Sequence, residues 1–339
     1  MSLRDRNYWI EQTKEKILAN SKASDSYEKE LIFLYDEAAN QIETEITSMY
    51  AKYAKDNELT NAEASKLLSG KEHSQWKKSI EEYIEDIAKA GKGSRTLLEL
   101  NTLSAKSQIS RKEQLLANIY QNMMTLANDS NTKLSELLGD LFETNYYRNC
   151  YNVQRGIGIG FNVQKINEKR LKQVLEFPWS RKTFSQTLWE NTDKLAALAK
   201  REITLGFING SSVQKMAKEI NDIMGKGTMA ATRLVRTECS YFANQGQMIS
   251  YQEMGIEEYE FWGAGCKDCQ ALNGLKFKVS EAVAGINLPP IHPNCKCTTK
   301  SVHKIDMFKL KPGANPLASN VKFQEWKERY IKEKGEKSS

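Results

Sequence analysis

Between Trp262 and Lys300 the chain gathers four of its six cysteines and one of its three histidines. Cys266-x-x-Cys269 places two thiols on one tight turn, and His292-x-x-Cys295-x-Cys297 returns three further donors after an excursion. This is the paired-knuckle spacing of a tetrahedral metal site, and thiolates with an imidazole are donors that suit zinc. A catalytic zinc keeps one position open for water, whereas a structural zinc is closed by four protein ligands. Cys266, Cys269, His292, Cys295 and Cys297 compete for four places, so a closed structural site is expected. Either the four thiols close it or His292 replaces one of them. Reduced packing cysteines and disulfides are the competing readings. A zinc deaminase would need Glu two residues after the histidine, where Asn294 stands. A Cys–His nucleophile built from His292 with Cys295 or Cys269 lacks an identifiable orienting group. No catalytic residue and no small-molecule substrate is expected.

The elements that must hold these donors are short. Glu258-Tyr259-Glu260-Phe261-Trp262 alternates as a strand, and Lys276-Phe277-Lys278-Val279 alternates as a second after the turn dipeptide Asn273-Gly274. Pro289-Pro290 and Pro293 stiffen the return, and Cys297 to Val302 supplies a third strand beside Phe277. So little apolar surface is available here that the small sheet needs a staple. Ahead of it the pattern predicts helices over Leu188–Ile208, over Val213–Met224 capped by Ser211 or Ser212, and over Met229–Gln252. A Gly225-Lys226-Gly227 turn between the last two would permit a helix-turn-helix reader of DNA. Against that, Val235, Cys239, Phe242, Gly246 and Ile249 line one face of the third helix and make it a core helix. Arg236 and Glu238, two positions apart, point to different sides and read as structural pairing groups. Cys239 and Cys150 read as buried small hydrophobes.

The first half is helical. Leu31, Leu34, Ala38, Ile42, Ile46, Met49 and Tyr53 recur at three- and four-residue steps, with Ser26 as the expected cap. Thr60-x-x-Glu63 is a capping box for a short helix closing near Gly70. Trp76, Ile80, Tyr83, Ile84 and Ile87 mark another that stops before Gly91-Lys92-Gly93, and Leu97–Leu126 and Leu134–Cys150 continue the pattern. All six prolines lie at or after Pro178, which leaves this half free to build long helices. Gly156-Ile157-Gly158-Ile159-Gly160 lacks the spacing and the Lys-Ser/Thr of a phosphate loop and reads as a turn between helices. The expected fold is therefore mainly α. It has an elongated N-terminal helical region over 1–183, an α+β C-terminal domain over 184–303 with a small sheet and a Cys/His knuckle, and a basic tail over 304–339.

Composition agrees with that class. The chain has 339 residues, 40% hydrophobic and 27% charged, with a mean hydropathy of −0.61. No run reaches the roughly 18 apolar residues of a membrane span, and the N-terminus opens into charged sequence without a signal core. Folding in a cytoplasm with reduced thiols is expected, which favours ligand cysteines over disulfides. A net charge of +6 permits contact with nucleic acid without requiring it. The tail carries nine Lys/Arg against five Asp/Glu, with a short helix expected at Phe323–Ile331. It reads as a solvated end and as the best candidate for a phosphate-binding arm. His73 and His303 lie far from other ligand types and are given no role.

Arg236-Thr237-Glu238, Cys266, Cys269, Leu272-Asn273-Gly274, Phe277 and the run Pro289-Pro290-x-His292-Pro293-Asn294-Cys295-Lys296-Cys297 together resemble the C-terminal domain of the Mu F-like phage head morphogenesis proteins, also called minor head or minor capsid proteins. The resemblance covers roughly residues 185–303, with Lys296 standing where Arg is usual and Asn273 where Asp is usual. The N-terminal start at Tyr8-Trp9 and the Tyr27–Leu31 run resemble minor capsid proteins of phages of Gram-positive bacteria. The resemblance implies a virion structural protein, made in the bacterial host cytoplasm and attached at or near the portal vertex, that assists head assembly. It implies the portal protein as partner, with capsid or scaffolding protein and non-specific contact with packaged DNA as further expectations. Some relatives carry a toxin domain after this module, and no effector is expected in the short stretch beyond His303. The alternative is a zinc-containing nucleic-acid-binding or processing protein of the host cytoplasm, supported by the knuckles and the tail. A portal gene immediately upstream would favour the first reading, a nuclease or toxin operon the second.

Overall fold

A computed structural model describes residues 6–56, 111–209, 211–263, 265–302 and 313–332. Six α-helices dominate the described residues: α1 Arg6–Asp56, α2 Arg111–Ile157, α3 Glu168–Leu175, α4 Phe184–Ile208, α5 Val213–Met254 and α6 Phe323–Tyr330. Three small sheets accompany them. β1 (Ile159–Gly160) pairs antiparallel with β6 (Asn315–Pro316), and β2 (Val163–Gln164) pairs parallel with β7 (Ile331–Lys332). The third sheet has the order β4-β3-β5, with β3 Glu258–Trp262, β4 Lys276–Lys278 and β5 Thr298–Val302, all antiparallel. The expected class, mainly helical with a small sheet and a Cys/His cluster in the C-terminal region, is the one observed.

The structure departs from the expected helix boundaries in one consistent way: the helices are longer. Ser26 is no cap, because α1 already begins at Arg6 and no glycine or proline interrupts it. The polar run Asn128–Thr132 does not separate two helices, since α2 passes through it with Ala127, Ser130 and Leu134 all buried. Gly225-Lys226-Gly227 is not a turn but part of α5, so the helix-turn-helix is absent. A methyl group at Gly227 would overlap Leu195 and Tyr35, so the glycine there serves close helix packing. Ser212 does cap α5, its hydroxyl accepting the Lys215 N–H at 3.2 Å. α2 and α5 end before Gly158 and Gly255, both left-handed (φ 73° and 71°), a backbone geometry that glycine adopts without strain. The Thr60 box, the Trp76–Ile87 helix, the Gly91–Gly93 stop, the first part of the Leu97–Leu126 helix, His73 and His303 lie outside the described residues.

Two compact units are assembled from separated stretches. One comprises Lys29–Thr132 and Ser185–Ala231, the other Met1–Glu28, Lys133–Phe184 and Thr232–Ser339. In the first, the expected stripe of α1 is the core: Leu31, Ala38, Ile42, Ile46 and Met49 are buried, joined by Tyr35, Ala39 and Tyr50, with Leu115, Ile119 and Met123 of α2. In the second, Tyr146, Tyr251, Phe242 and Phe261 are fully enclosed. The tail corrects its expectation here. Its described part is no solvated end, because Trp326 is fully buried and donates its indole N–H to Gln154 Oε1 at 2.9 Å. Leu317, Val321 and Tyr330 are buried beside it, and the Tyr330 ring lies so close to Gly160 that a side chain there would overlap it. The expected Phe323 helix is present as α6.

Candidate metal centre

The sheet β4-β3-β5 presents the cluster. β3 is the central strand, with Tyr259 and Phe261 pointing inward and fully buried while Glu258 stays exposed, the alternation its sequence shows. β5 pairs with β3, not beside Phe277 as expected, through Trp262↔Thr298 to Glu258↔Val302. The first knuckle follows β3: Gly265 takes φ 83°, and the 3-10 turn Gln270–Leu272 closes behind Cys269. Asn273-Gly274 makes the expected turn, Gly274 at φ 83° donating its N–H to Phe261 O at 2.9 Å. Asn273 Oδ1 accepts the Gly263 N–H at 2.8 Å and ties both ends of the excursion together. The second knuckle is a turn in which the Cys295 N–H donates to His292 O at 3.2 Å. Asn294 at its corner has φ 62° and donates its N–H to Thr237 Oγ1 on α5 at 3.1 Å.

All five expected donors are brought together. Cys266, Cys269 and His292 form one group and Cys269, Cys295 and Cys297 another, the donor atoms of each lying within 4.8 Å of one another. Cys269, Cys295 and Cys297 are buried with Phe261, and Leu272, Phe277 and Ile291 pack against them. Cys269 Sγ and Cys295 Sγ are 3.8 Å apart. Two thiolates on one tetrahedral zinc, each at about 2.3 Å from it, stand about 3.8 Å apart, so this pair already has ligand spacing. Cys266 Sγ lies 2.7 Å from His292 Nε2. His292 Nδ1 contacts Pro293 O at 2.8 Å, and because a carbonyl only accepts, Nδ1 carries a proton and the ring turns Nε2 toward the sulfur.

The electrostatics favour thiolates at the outer turns. Burial pushes the Cys266 thiol up, but hydrogen bonds from the backbone at Cys269, the Cys269 thiol, His292 and the backbone at Asp268 together set it below its ordinary value. A hydrogen bond from the Cys297 thiol holds Cys295 low against burial, helped by backbone bonds at Ile291 and Cys297. Cys269 is raised by burial and then by the charge of Cys295. Such a group of sulfur and imidazole donors could hold a metal ion. Cys150 and Cys239 are both buried and belong to neither donor group, and burial drives both thiols up, Cys239 to about 12.

Behind the cluster lies a polar layer that periodicity did not reveal. Asn244 donates to Cys297 O at 3.3 Å and Gln247 to Thr298 Oγ1 at 2.9 Å, while the Thr299 hydroxyl donates to Gln247 Oε1 at 3.0 Å. Lys16 of α1 completes it, donating to Gln247 Oε1 at 2.5 Å and to Thr299 O at 2.9 Å, and burial lowers its ammonium to about 7. Polar residues at core-facing positions of α5 and β5 were the available signal. Arg236 forms a two-pronged pair with Glu28 on α1. Glu238 is buried and accepts the Trp179 indole N–H at 2.9 Å, with Trp179 stacked on Tyr241 at 4.6 Å. Burial pushes the Glu238 carboxyl up to about 7 against that hydrogen bond. Arg236 thus has the ion-pair partner expected of it, whereas Glu238 meets an indole N–H and no opposite charge.

Fold and site together define a helical protein that displays a thiol-rich double knuckle on a three-stranded sheet. Residues 198–300 match the family described as Phage Mu protein F like protein, so the chain carries a Mu F-like region containing the whole knuckle. That family points to phage head morphogenesis and to a component of the virion. The chain is also similar to the NAD(+)--arginine ADP-ribosyltransferase EFV of Enterococcus faecalis (strain ATCC 700802 / V583), 25% identical over 178 residues, which are 47% of this chain and 37% of that protein. The chain thus spans well under half the length of that curated relative. No solved structure matches. Among the described residues no helix is long and apolar enough to cross a membrane.

Proposed function

We propose that the protein is a minor head protein that docks at or near the portal vertex, assists head assembly and catalyses no reaction. The observation that carries this reading is the coincidence of the Mu F-like region, residues 198–300, with a knuckle built as a structural unit. The donors favour zinc, since thiolates and imidazole at this spacing suit it better than they suit harder cations. Bound zinc would crosslink the two turns, and in small sites that binding energy is folding energy. The helices of the N-terminal half supply the docking surface: Lys29 and Glu37 are exposed beside the buried stripe of α1. Contact with packaged DNA is weak, indifferent to sequence and steeply dependent on salt, because the positive excess is small and α5 is a core helix.

Co-expression with the portal protein tests the reading. A complex containing fewer copies of this chain than of portal is expected, and charge reversal at Lys29 or Glu37 should weaken it about several-fold, as rim charges do. If removal of residues 1–150 leaves portal association unchanged, docking does not use these helices. The transferase named among the relatives motivates one further assay. Incubation with NAD+ and arginine-bearing acceptors should give no ADP-ribosylation, since the one strongly perturbed carboxyl among the described residues, Glu238, is buried against Trp179. Turnover there would replace the structural reading with an enzymatic one.

A further inference from the structure

Positive charge is dense where α6 docks on α2: over 144–157 and 313–332, six Lys and Arg stand against two Glu. Resting on the DNA contact proposed above, we propose that this face makes it, Arg148, Arg155 and Lys322 each taking a backbone phosphate of a nucleic-acid duplex. The geometry holds these cations in place without neutralising them. The Arg148 guanidinium lies 3.8 Å over the Phe323 ring and the Arg155 guanidinium 5.8 Å from the Tyr151 ring, while Tyr151 and Phe323 meet edge to face at 5.4 Å. A continuous row thus runs from Arg155 through Tyr151 and Phe323 to Arg148. Arg155 is fixed further by donating its Nε–H to Ser319 O at 2.9 Å, and Lys322, exposed, adjoins Phe323 in the chain. Among the described residues none of the three is in an ion pair, and an aromatic face leaves a cation its full charge for a ligand. Lys327 shares the Phe323 ring at 5.8 Å, but it is near enough to Glu143 for the two charges to interact and is left out of the contact.

Spacing and surface chemistry select the partner. Arg155 follows Arg148 by two helical turns on α2, so the two share a face and stand about 10 Å apart along its axis. A duplex carries one charge per about 1.7 Å of its axis, so cations at that spacing meet different phosphates. The other candidate polyanion is an acidic protein. A protein interface has an apolar core inside its polar rim, yet no large hydrophobic residue of 133–157 or 313–332 is exposed. A partner held through its phosphates needs no such core, and phosphate contacts position a duplex without reading its sequence.

Fluorescence anisotropy of a labelled DNA duplex with the full chain, titrated at several salt concentrations, tests the assignment. The slope of log K against log salt falls by about 0.9 for each phosphate contact removed, so Arg148→Gln/Arg155→Gln/Lys322→Gln should flatten the wild-type slope by about 2 to 3. Lys215→Gln/Lys218→Gln/Lys226→Gln makes the same charge change at exposed positions of α5 in the other unit and should leave the slope as it is. An unchanged slope in the first variant, or equal flattening by both, would overturn the proposal while leaving the DNA contact intact. A wild-type chain that binds no duplex at low salt would overturn both. Because Arg148 also packs on Phe323, a readout without substitution is added. In the wild-type chain, dicarbonyl labelling of Arg148 and Arg155, read by mass spectrometry, should slow several-fold when duplex is added and recover at high salt. Equal labelling with and without duplex would overturn the assignment. Loss of portal from the co-expressed complex in the first variant, with duplex binding retained, would make this face a protein-docking surface instead.

Discussion

The same substitution at two points of α5 should have opposite signs. Gly225 is exposed in mid-helix, and a methyl group built there meets nothing within 4 Å. Replacing an interior helical glycine by alanine gains about 0.8–1.0 kcal/mol, so Gly225→Ala should stabilise its unit by about 1 kcal/mol. Gly246 is buried where α5 crosses α2, and a methyl group there would overlap the Phe142 carbonyl oxygen and stand 3.1 Å from the Tyr146 nitrogen. Both are backbone atoms, which cannot swing aside as a side chain would. Overpacking costs about 1–3 kcal/mol, and a rigid obstacle belongs at the upper end; after the helical gain is subtracted, Gly246→Ala should lose about 2 kcal/mol. The two variants should differ by about 3 kcal/mol, roughly two orders of magnitude in the folding equilibrium. Urea unfolding followed by circular dichroism gives both values as shifts in midpoint at unchanged slope. A destabilised Gly225→Ala would mean that the helix is interrupted at 225–227, and a neutral Gly246→Ala would mean that the α2–α5 crossing is looser than described.

Three further outcomes follow from buried groups. Glu238 has its carboxyl raised to about 7 in the folded state, so between its unfolded value and pH 7 the folded chain holds a proton that the unfolded chain has released, and this contribution to stability falls as pH rises through that window. Glu238→Gln, which can still accept from Trp179, should match wild type near pH 4 and exceed it by up to about 3 kcal/mol at pH 8 in parallel melts; a constant difference across pH would show that Glu238 does not titrate in that window. Glu28→Ala removes the two-pronged partner of Arg236 and should cost about 2 kcal/mol by chemical denaturation, the scale of charge-assisted bonds, with a negligible change counting against the pairing. Trp326→Ala, in the tail that charge alone makes look solvated, should cost about 3–5 kcal/mol, and a cost below about 1 kcal/mol would show that α6 is not docked.

Much was legible from local pattern. The α1 stripe from Leu31 to Met49, the strand at Glu258–Trp262, the Ser212 cap, the core face of α5 and the five knuckle donors all follow from spacings of a few residues, because helix and strand periodicity and a metal's bite act over that range. Tertiary structure decided the rest. Ser26, Asn128–Thr132 and Gly225–Gly227 look like boundaries by propensity, yet each lies inside a helix, because a local preference of about 1 kcal/mol yields to packing along helices of more than forty residues. Which strand lies centrally in the sheet, that Glu28 meets Arg236, and that Lys16 reaches Thr299 depend on pairings between separate chain segments, more than 200 residues apart in the last two cases. So does the fate of the tail, whose charges suggest solvent while Trp326 and Tyr330 are drawn inside by Gln154 and by the space left at Gly160. Such pairings leave no period in the sequence, because each is one contact between residues whose separation along the chain obeys no rule, and only the folded chain supplies the partner.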